Sequence, residues 1–153
     1  MFPETIQECL YPFKAEKLFI DYQKLAVCTG LGHYSPYIKL VLHPDFGPWI
    51  SLRGLFLTKE ILELTGPLTT PVPCLTCYKP CLRACPVKAV TETNYDFYQC
   101  AIYRNLETDC LSSCHVREVC IIGPEHAYST EEGLHRNKSS METLRMYYKI
   151  AKI

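Results

Sequence analysis

Cysteine is the residue type whose number and spacing most clearly indicate chemistry in this sequence. Ten of the 153 residues are cysteine, and eight of them fall within residues 74–120. Thiolates bind zinc and iron–sulfur clusters, whereas in oxidising compartments cysteines pair as disulfides. Residues 1–5 lack the basic and apolar regions of a signal peptide. We therefore expect a cytoplasmic protein whose cysteines bind metal.

The densest cysteine group has the spacing C-x2-C-x3-C-x3-C-P. Its members are Cys74, Cys77, Cys81 and Cys85, and Pro86 follows directly. Closely spaced cysteines let one loop wrap around a [4Fe–4S] cluster and direct its backbone amides at the sulfurs. Bacterial ferredoxins contain a similar run that ends in proline, although only two residues separate their second and third cysteines. The spacing favours a [4Fe–4S] cluster.

A second group of four cysteines follows with the spacing C-x9-C-x3-C-x5-C, which matches no compact motif as well. Its members are Cys100, Cys110, Cys114 and Cys120. Eight cysteines suffice for two clusters, and in two-cluster ferredoxins the cysteine before the proline binds the other cluster. This rule predicts one cluster on Cys74, Cys77, Cys81 and Cys120, and another on Cys85, Cys100, Cys110 and Cys114.

Other uses of the cysteines stay open at this point. Structural zinc usually takes two C-x2-C pairs, and this sequence has one such pair. A single cluster with the second group as buried or zinc-bound thiols is a further alternative, and disulfides are another. Cys9 and Cys28 lie outside both groups, beside Leu10 and Leu25, and we expect them to pack in the core on helix faces.

The elements that precede the cysteines are a helix and a β-hairpin. Leu18, Tyr22, Leu25 and Ala26 recur at helical spacing, and Gly30 and Gly32 follow. Two strand-like runs, 37–43 and 49–57, flank the turn residues 44–48 and predict a hairpin. A short helix is expected over Thr58–Leu64. Residues 65–73 contain three prolines and indicate a linker.

Two helices are predicted in the second half. Asp96 and Gln99 form a capping pattern at the start of a helix that carries Cys100, and Ser139 and Glu142 repeat this pattern near the end. The fold class expected is α+β. A helix and hairpin in residues 1–70 would pack on a ferredoxin-like iron–sulfur domain in residues 71–153, which a C-terminal helix closes.

Composition excludes several classes of partner. Sixteen Lys and Arg residues balance sixteen Asp and Glu residues, so the formal net charge is zero. Direct binding to nucleic acid through a polycationic surface is therefore not expected. No apolar run approaches the roughly 18–20 residues of a membrane-spanning helix, so we expect no membrane association.

The residues from Cys74 to Val87 resemble the ferredoxin-type domain of bacterial iron–sulfur proteins related to epoxyqueuosine reductase. Upstream, Leu42–Gly54 resembles a hairpin that this reductase family shares with the cobalamin-processing CblC-type proteins. The order of the Gly-x-Gly loop, the hairpin and the cysteine motif is also shared. The resemblance covers roughly residues 30–120 and extends to the tail through Cys114, Arg117 and Cys120.

This resemblance implies a nitroreductase-like portion that holds a corrinoid in the relatives, with two clusters that deliver electrons to it. On this basis His43, Trp49 and Arg53 are candidate cofactor-binding residues. The relatives have a much longer segment before the hairpin, so cobalamin is not the cofactor we expect first. A corrinoid site here would need completion by a second copy of the chain or by a partner chain.

The sequence predicts a small electron carrier that exchanges electrons with a redox partner protein, with no catalytic residues of its own. No pair of histidines has the spacing of a catalytic metal motif, and no glycine-rich phosphate loop is present. The alternative is a corrinoid-dependent reductase, active as a homodimer or with a partner. A zinc-stabilised interaction module is a third hypothesis, which metal analysis would distinguish.

Overall fold

Short strands occupy the first part of the chain and helices the second. The computed structural model describes residues 6–11, 20–106 and 109–151. The strands are β1 (Ile6–Leu10), β2 (His33–Tyr34), β3 (Val41–Leu42) and β4 (Leu55–Thr58). The helices are α1 (Tyr22–Cys28), α2 (Pro73–Thr76), α3 (Cys81–Ala84), α4 (Phe97–Asn105), α5 (His115–Glu118) and α6 (Thr130–Tyr148). The expected mixture of helix and strand is confirmed, whereas a ferredoxin-like arrangement of the second part stays a prediction.

Two 3-10 turns, Asp109–Leu111 and Pro124–His126, complete the second part. Within the described ranges no helix combines the length and the apolar character that crossing a membrane requires.

The strands form two separate antiparallel pairs. β1 pairs with β4, with Leu10 opposite Leu55, and β2 pairs with β3, with His33 opposite Leu42. Helix α1 packs against β2 and β3 and buries Ala26. The predicted first helix is thus confirmed from Tyr22 onward, and Leu18 lies outside the described residues.

The predicted hairpin between residues 37–43 and 49–57 is wrong beyond its turn. His43 and Gly47 do exchange two backbone hydrogen bonds of 2.9 Å, and Gly47 has the positive φ of 54° that this turn requires. In an antiparallel ladder the next donor on this arm would be the Trp49 N–H, which instead bonds the carbonyl oxygen of Phe46 at 3.0 Å. The arms therefore part after one bridge, and Leu55–Thr58 pairs with β1 instead.

The helix predicted over residues 58–64 is also wrong, because the chain bends after β4 and residues 61–64 have no regular secondary structure. Ile61 and Leu64 are almost fully exposed, at 102% and 95%. A helix this short gains most of its stability from a buried apolar face. Since the segment buries neither side chain, nothing offsets the cost of starting a helix here.

Helix α4 begins where the sequence predicts it. The Asp96 side chain accepts a hydrogen bond of 2.9 Å from the backbone N–H of Gln99, which satisfies a donor at the helix start. The helix carries Cys100 in its first turns. Its other end packs towards α6.

The last helix starts ten residues earlier than the predicted cap at Ser139. Its capping box is formed by Ser129 and Glu132, whose side chains bond each other's backbone N–H groups. Ser139 lies inside the helix, where its pattern with Glu142 has no capping role. Gly133 allows close packing, since a Cβ at this position would overlap the carbonyl oxygen of Ser112.

Both halves of the chain contribute to one small hydrophobic core. Its buried members are Tyr37, Ile38 and Leu42 from the first half and Val90 and Val116 from the second. Five cysteines of the two groups pack directly against this cluster. The hydrophobic core thus lies beside both cysteine groups. The two parts of the chain on either side of the boundary predicted at residue 70 share this core.

We expect Ser129→Ala to lower the free energy of unfolding by about 1 kcal/mol, because it removes the side-chain cap of α6. Ser139→Ala is the matched control, since it deletes the same hydroxyl from the helix interior and should leave stability within about 0.5 kcal/mol of the unaltered protein. Urea unfolding of the protein in its purified state measures both. A larger loss for Ser139→Ala would contradict the observed helix start.

Candidate metal centres

Four cysteines line a first small cavity, here called the first chamber. They are Cys74, Cys77, Cys81 and Cys120. Cys74 is the second residue of α2, where Pro73 occupies the first position and needs no hydrogen-bond partner for its nitrogen. Cys81 starts α3, and Cys120 follows α5 from much later in the chain. The predicted grouping of these four residues is the one found in this cavity.

The remaining four cysteines line a second small cavity, the second chamber. They are Cys85, Cys100, Cys110 and Cys114. Each belongs to a different local element: Cys85 ends α3, Cys100 lies in α4, Cys110 lies in a 3-10 turn, and Cys114 precedes α5. Cys85 therefore lines a different cavity from the other three cysteines of its sequence motif. Its neighbours there are cysteines that follow it in the chain.

The two chambers share a wall. Val116 lines both of them and is only 6% exposed. Helices α3 and α5 pack against each other at this point. Because Cys81 and Cys85 lie at opposite ends of the short helix α3, a single helical turn connects a residue of one chamber to a residue of the other.

Polar groups contact the cysteine sulfurs on both sides. The backbone N–H groups of Lys79 and Ala89 each donate to a sulfur at 3.3 Å, the first to Cys77 and the second to Cys85. Lys79 adopts a positive φ of 55°, which directs the loop between α2 and α3 around the first chamber. Such amide contacts stabilise negative charge on sulfur.

Two side-chain hydroxyls complete these contacts. Ser35 Oγ lies 3.3 Å from Cys74 Sγ in the first chamber, and Tyr95 Oη lies 3.6 Å from Cys100 Sγ in the second. Ser35 is 1% exposed. Burial raises the pKa of the Tyr95 phenol well above its usual value. Tyr95 therefore stays protonated and can donate a hydrogen bond to a thiolate.

Burial also controls the charge of the thiols themselves. It raises the pKa of Cys74, Cys81, Cys100 and Cys120 and raises the pKa of Cys110 to about 12. At neutral pH these thiols therefore keep their protons unless a cation compensates the thiolate charge. Metal binding must displace the protons, so affinity for metal falls as the pH is lowered.

A third group of potential ligands lies at the edge of the second chamber. Atoms of Asp109, Cys110 and His115 all lie within 4.8 Å of one another. His115 is 2.9 Å from Asp109 and 3.4 Å from Glu118, both through carboxylate oxygens. The sequence analysis considered only the spacing between histidines and missed this group, although the position of His115 directly after Cys114 was a usable signal.

The structure does not bring His43, Trp49 and Arg53 together as one site. His43 Nδ1 accepts hydrogen bonds from the backbone N–H groups of Asp45 and Phe46, at 3.1 and 3.3 Å, and so closes its own turn. Trp49 packs against other aromatic and cationic side chains, and Arg53 lines a separate cleft. A cofactor-binding role for these three residues stays a prediction.

Cys9 and Cys28 lie outside both chambers. The expectation that they pack in the core on helix faces is wrong for each. Cys9 belongs to strand β1 and is half-buried, and Cys28 is exposed at the last residue of α1. Cys28 is therefore a suitable control position for substitutions of the other cysteines.

Comparison of the chain with known protein families, with curated proteins and with solved structures finds no match.

Pairs of substitutions test the sorting of the cysteines. We expect Cys74→Ser or Cys120→Ser alone to remove about half of the bound metal, because each disables the same chamber. The double variant Cys74→Ser/Cys120→Ser should lose no more than either single variant. In contrast, Cys85→Ser/Cys120→Ser should lose nearly all the metal, since it disables both chambers.

Metal content per chain, measured on protein purified without oxygen, decides between these outcomes. Cys28→Ser should leave it unchanged, and circular dichroism shows whether each variant keeps its helices. If Cys85→Ser/Cys120→Ser retained half of the metal while Cys74→Ser/Cys120→Ser lost all of it, the sorting would be wrong.

Proposed function

We propose that this protein is an iron–sulfur electron-transfer protein that holds two [4Fe–4S] clusters, one in each chamber. The observation that carries the proposal is the sorting of eight cysteines, four and four, into two adjacent cavities. Such a cluster takes up and releases a single electron and is held by four thiolates. The partner expected for such a protein is another redox protein.

The residues that line the first chamber support the binding of a soft metal. Apart from its cysteines, the first chamber is lined mainly by apolar residues such as Ile38, Leu42 and Val116, and by no carboxylate. Thiolates without carboxylates are the donor set preferred by iron–sulfur clusters and zinc, and not by magnesium or calcium. The donor set therefore favours soft metals, among them iron–sulfur clusters and zinc.

The sequence spacing of the cysteines favours a cluster over a single zinc ion. Structural zinc usually takes two C-x2-C pairs, and this sequence contains one such pair. The first group instead ends in Cys85 followed by Pro86, as in the cluster-binding run of bacterial ferredoxins.

The surroundings of the sulfurs are those that tune a redox centre. Hydrogen bonds to sulfur and exclusion of water are the means by which a protein sets the potential of a cluster. Lys79 and Ala89 supply backbone N–H groups to one sulfur in each chamber. The shared wall at Val116 would keep the two centres close enough to exchange electrons with each other.

Analysis of iron, acid-labile sulfide and zinc on anaerobically purified protein tests the proposal. We expect about eight iron and about eight sulfide per chain, and a visible absorption that bleaches reversibly on reduction. About four of each would mean that only one chamber holds a cluster. Zinc without sulfide would contradict electron transfer altogether.

Removal of a single hydroxyl should change the potential of one cluster only. Tyr95→Phe deletes the donor to Cys100 and should make the potential of the second cluster more negative, since the reduced state loses a stabilising hydrogen bond. Ser35→Ala should act in the same direction on the first cluster. Each variant thus serves as the control for the other.

A redox titration followed by electron paramagnetic resonance resolves the two potentials. Equal shifts of both clusters in Tyr95→Phe would contradict a local effect of the hydroxyl. Unchanged potentials in both variants would show that neither contact reaches the sulfur in solution.

A further inference from the structure

A cleft separate from the cysteine chambers opens between the segment that follows β3 and the helices α5 and α6. Its volume is about 410 Å³, within the range of pockets that bind small molecules. Ser51 and Arg53 line one side, and Arg117, Arg136 and Asn137 line the other. We call it the arginine cleft.

The charge of the arginine cleft is strongly one-sided. Arg53, Arg117 and Arg136 line it, and no Asp or Glu is among its lining residues. Among the described residues, none of the three arginines forms an ion pair with a carboxylate. Glu132 lies near Arg136, but its carboxylate is engaged by Ser129 in the cap of α6. Since the whole chain has no net charge, this is a marked local excess of cations.

Two of the guanidinium groups are held in place by aromatic rings. The Arg117 guanidinium lies 4.8 Å from the Trp49 ring and 5.0 Å from the Tyr128 ring. Arg136 lies 4.1 Å from the same Tyr128 ring and donates to Ser51. Two like charges on one ring repel each other in the absence of an anion, whereas fixed guanidinium groups bind an anion with little loss of side-chain freedom.

One donor of the arginine cleft is unsatisfied. The Nε of Arg117 is buried without a hydrogen-bond partner, and Arg117 lines the arginine cleft. An unpaired buried donor on a cationic group is costly, and a bound anion or ordered water removes that cost.

The arginine cleft continues towards the second chamber. A neighbouring cavity of about 280 Å³ shares Leu40, Arg117, Asn137 and Ser140 with it. This inner cavity is also lined by the cations Lys39 and Arg104 and reaches the cysteines Cys100, Cys110 and Cys114; like the arginine cleft it contains no Asp or Glu in its lining. The inner cavity thus lies between the arginine cleft and the second group of cysteines.

We propose that the arginine cleft binds a small phosphorylated compound. Three arginines without a counter-charge match the two negative charges of a phosphate group better than the single charge of a carboxylate, and the guanidinium group binds phosphate through paired hydrogen bonds. The apolar side chains Leu40, Val41 and Ile50, which also line the arginine cleft, would contact the non-phosphate part of the compound.

Calorimetric titration of the purified, metal-containing protein with inorganic pyrophosphate tests this proposal. We expect saturable binding of one pyrophosphate per chain, much tighter than binding of acetate and weaker at high salt. Trp49 is the only tryptophan, and its contact with Arg117 makes its fluorescence a local indicator of the same event.

Arg53→Gln is the decisive variant, because Arg53 has no intramolecular partner among the described residues. It should weaken pyrophosphate binding about tenfold, the effect of one charge-assisted hydrogen bond. Lys138→Gln removes the same charge from an exposed position on α6 outside the arginine cleft and should leave the affinity unchanged. Arg136→Gln should weaken binding at least as much as Arg53→Gln.

The proposal is overturned if no saturable binding occurs, if Lys138→Gln weakens it as much as Arg53→Gln, or if acetate binds as tightly as pyrophosphate. Iron and zinc are measured on the same samples. Because the arginines lie outside both chambers, the outcome can be interpreted whichever metal the cysteines hold.

Discussion

Helix α3 constrains the arrangement of both cysteine chambers. It begins with Cys81, which faces one chamber, and is followed by Cys85, which faces the other. A helix of four residues rises only about 6 Å, so the two chambers must be close neighbours. The other six cysteines of the two groups are then brought to one side of α3 or the other. Val116, on the facing helix α5, fills the space that remains between them.

The small size of the hydrophobic core gives this arrangement its energetic importance. The central cluster contains five buried residues, and five of the cysteines pack around it. Burial raises the pKa of three of these thiols, Cys74, Cys81 and Cys120, so without metal they are neutral, weakly polar groups with few strong interactions. Because metal ligation requires the folded arrangement, the free energy of binding contributes directly to the free energy of folding. In the proposed protein the clusters are therefore part of the core.

The sequence was most informative where short-range chemistry determines the structure. The spacing of the cysteines, read with the rule that the cysteine before the proline joins another set, gave the same two groups that line the two cavities. The cap at Asp96 was equally local and was predicted correctly. The start of α6 was missed because two capping patterns occur ten residues apart, and the earlier one is used where Gly133 packs closely against Ser112. The pairing of β4 with β1 was missed because it joins segments distant in sequence. The nearer pairing stops after the bridge of His43 and Gly47, since the Trp49 N–H bonds back to Phe46 within the turn.

The order of the cysteines along the chain has a consequence for assembly. The residues of the second chamber, from Cys85 to Cys114, all lie between Cys81 and Cys120 of the first chamber. One set of ligands is therefore nested inside a loop closed by the other. Closing a loop costs entropy that grows with its length, and the inner set shortens the loop that the outer set must close. If both chambers bind metal as proposed, filling the inner site first would thus prepare the outer one, and the two sites would be filled in a preferred order.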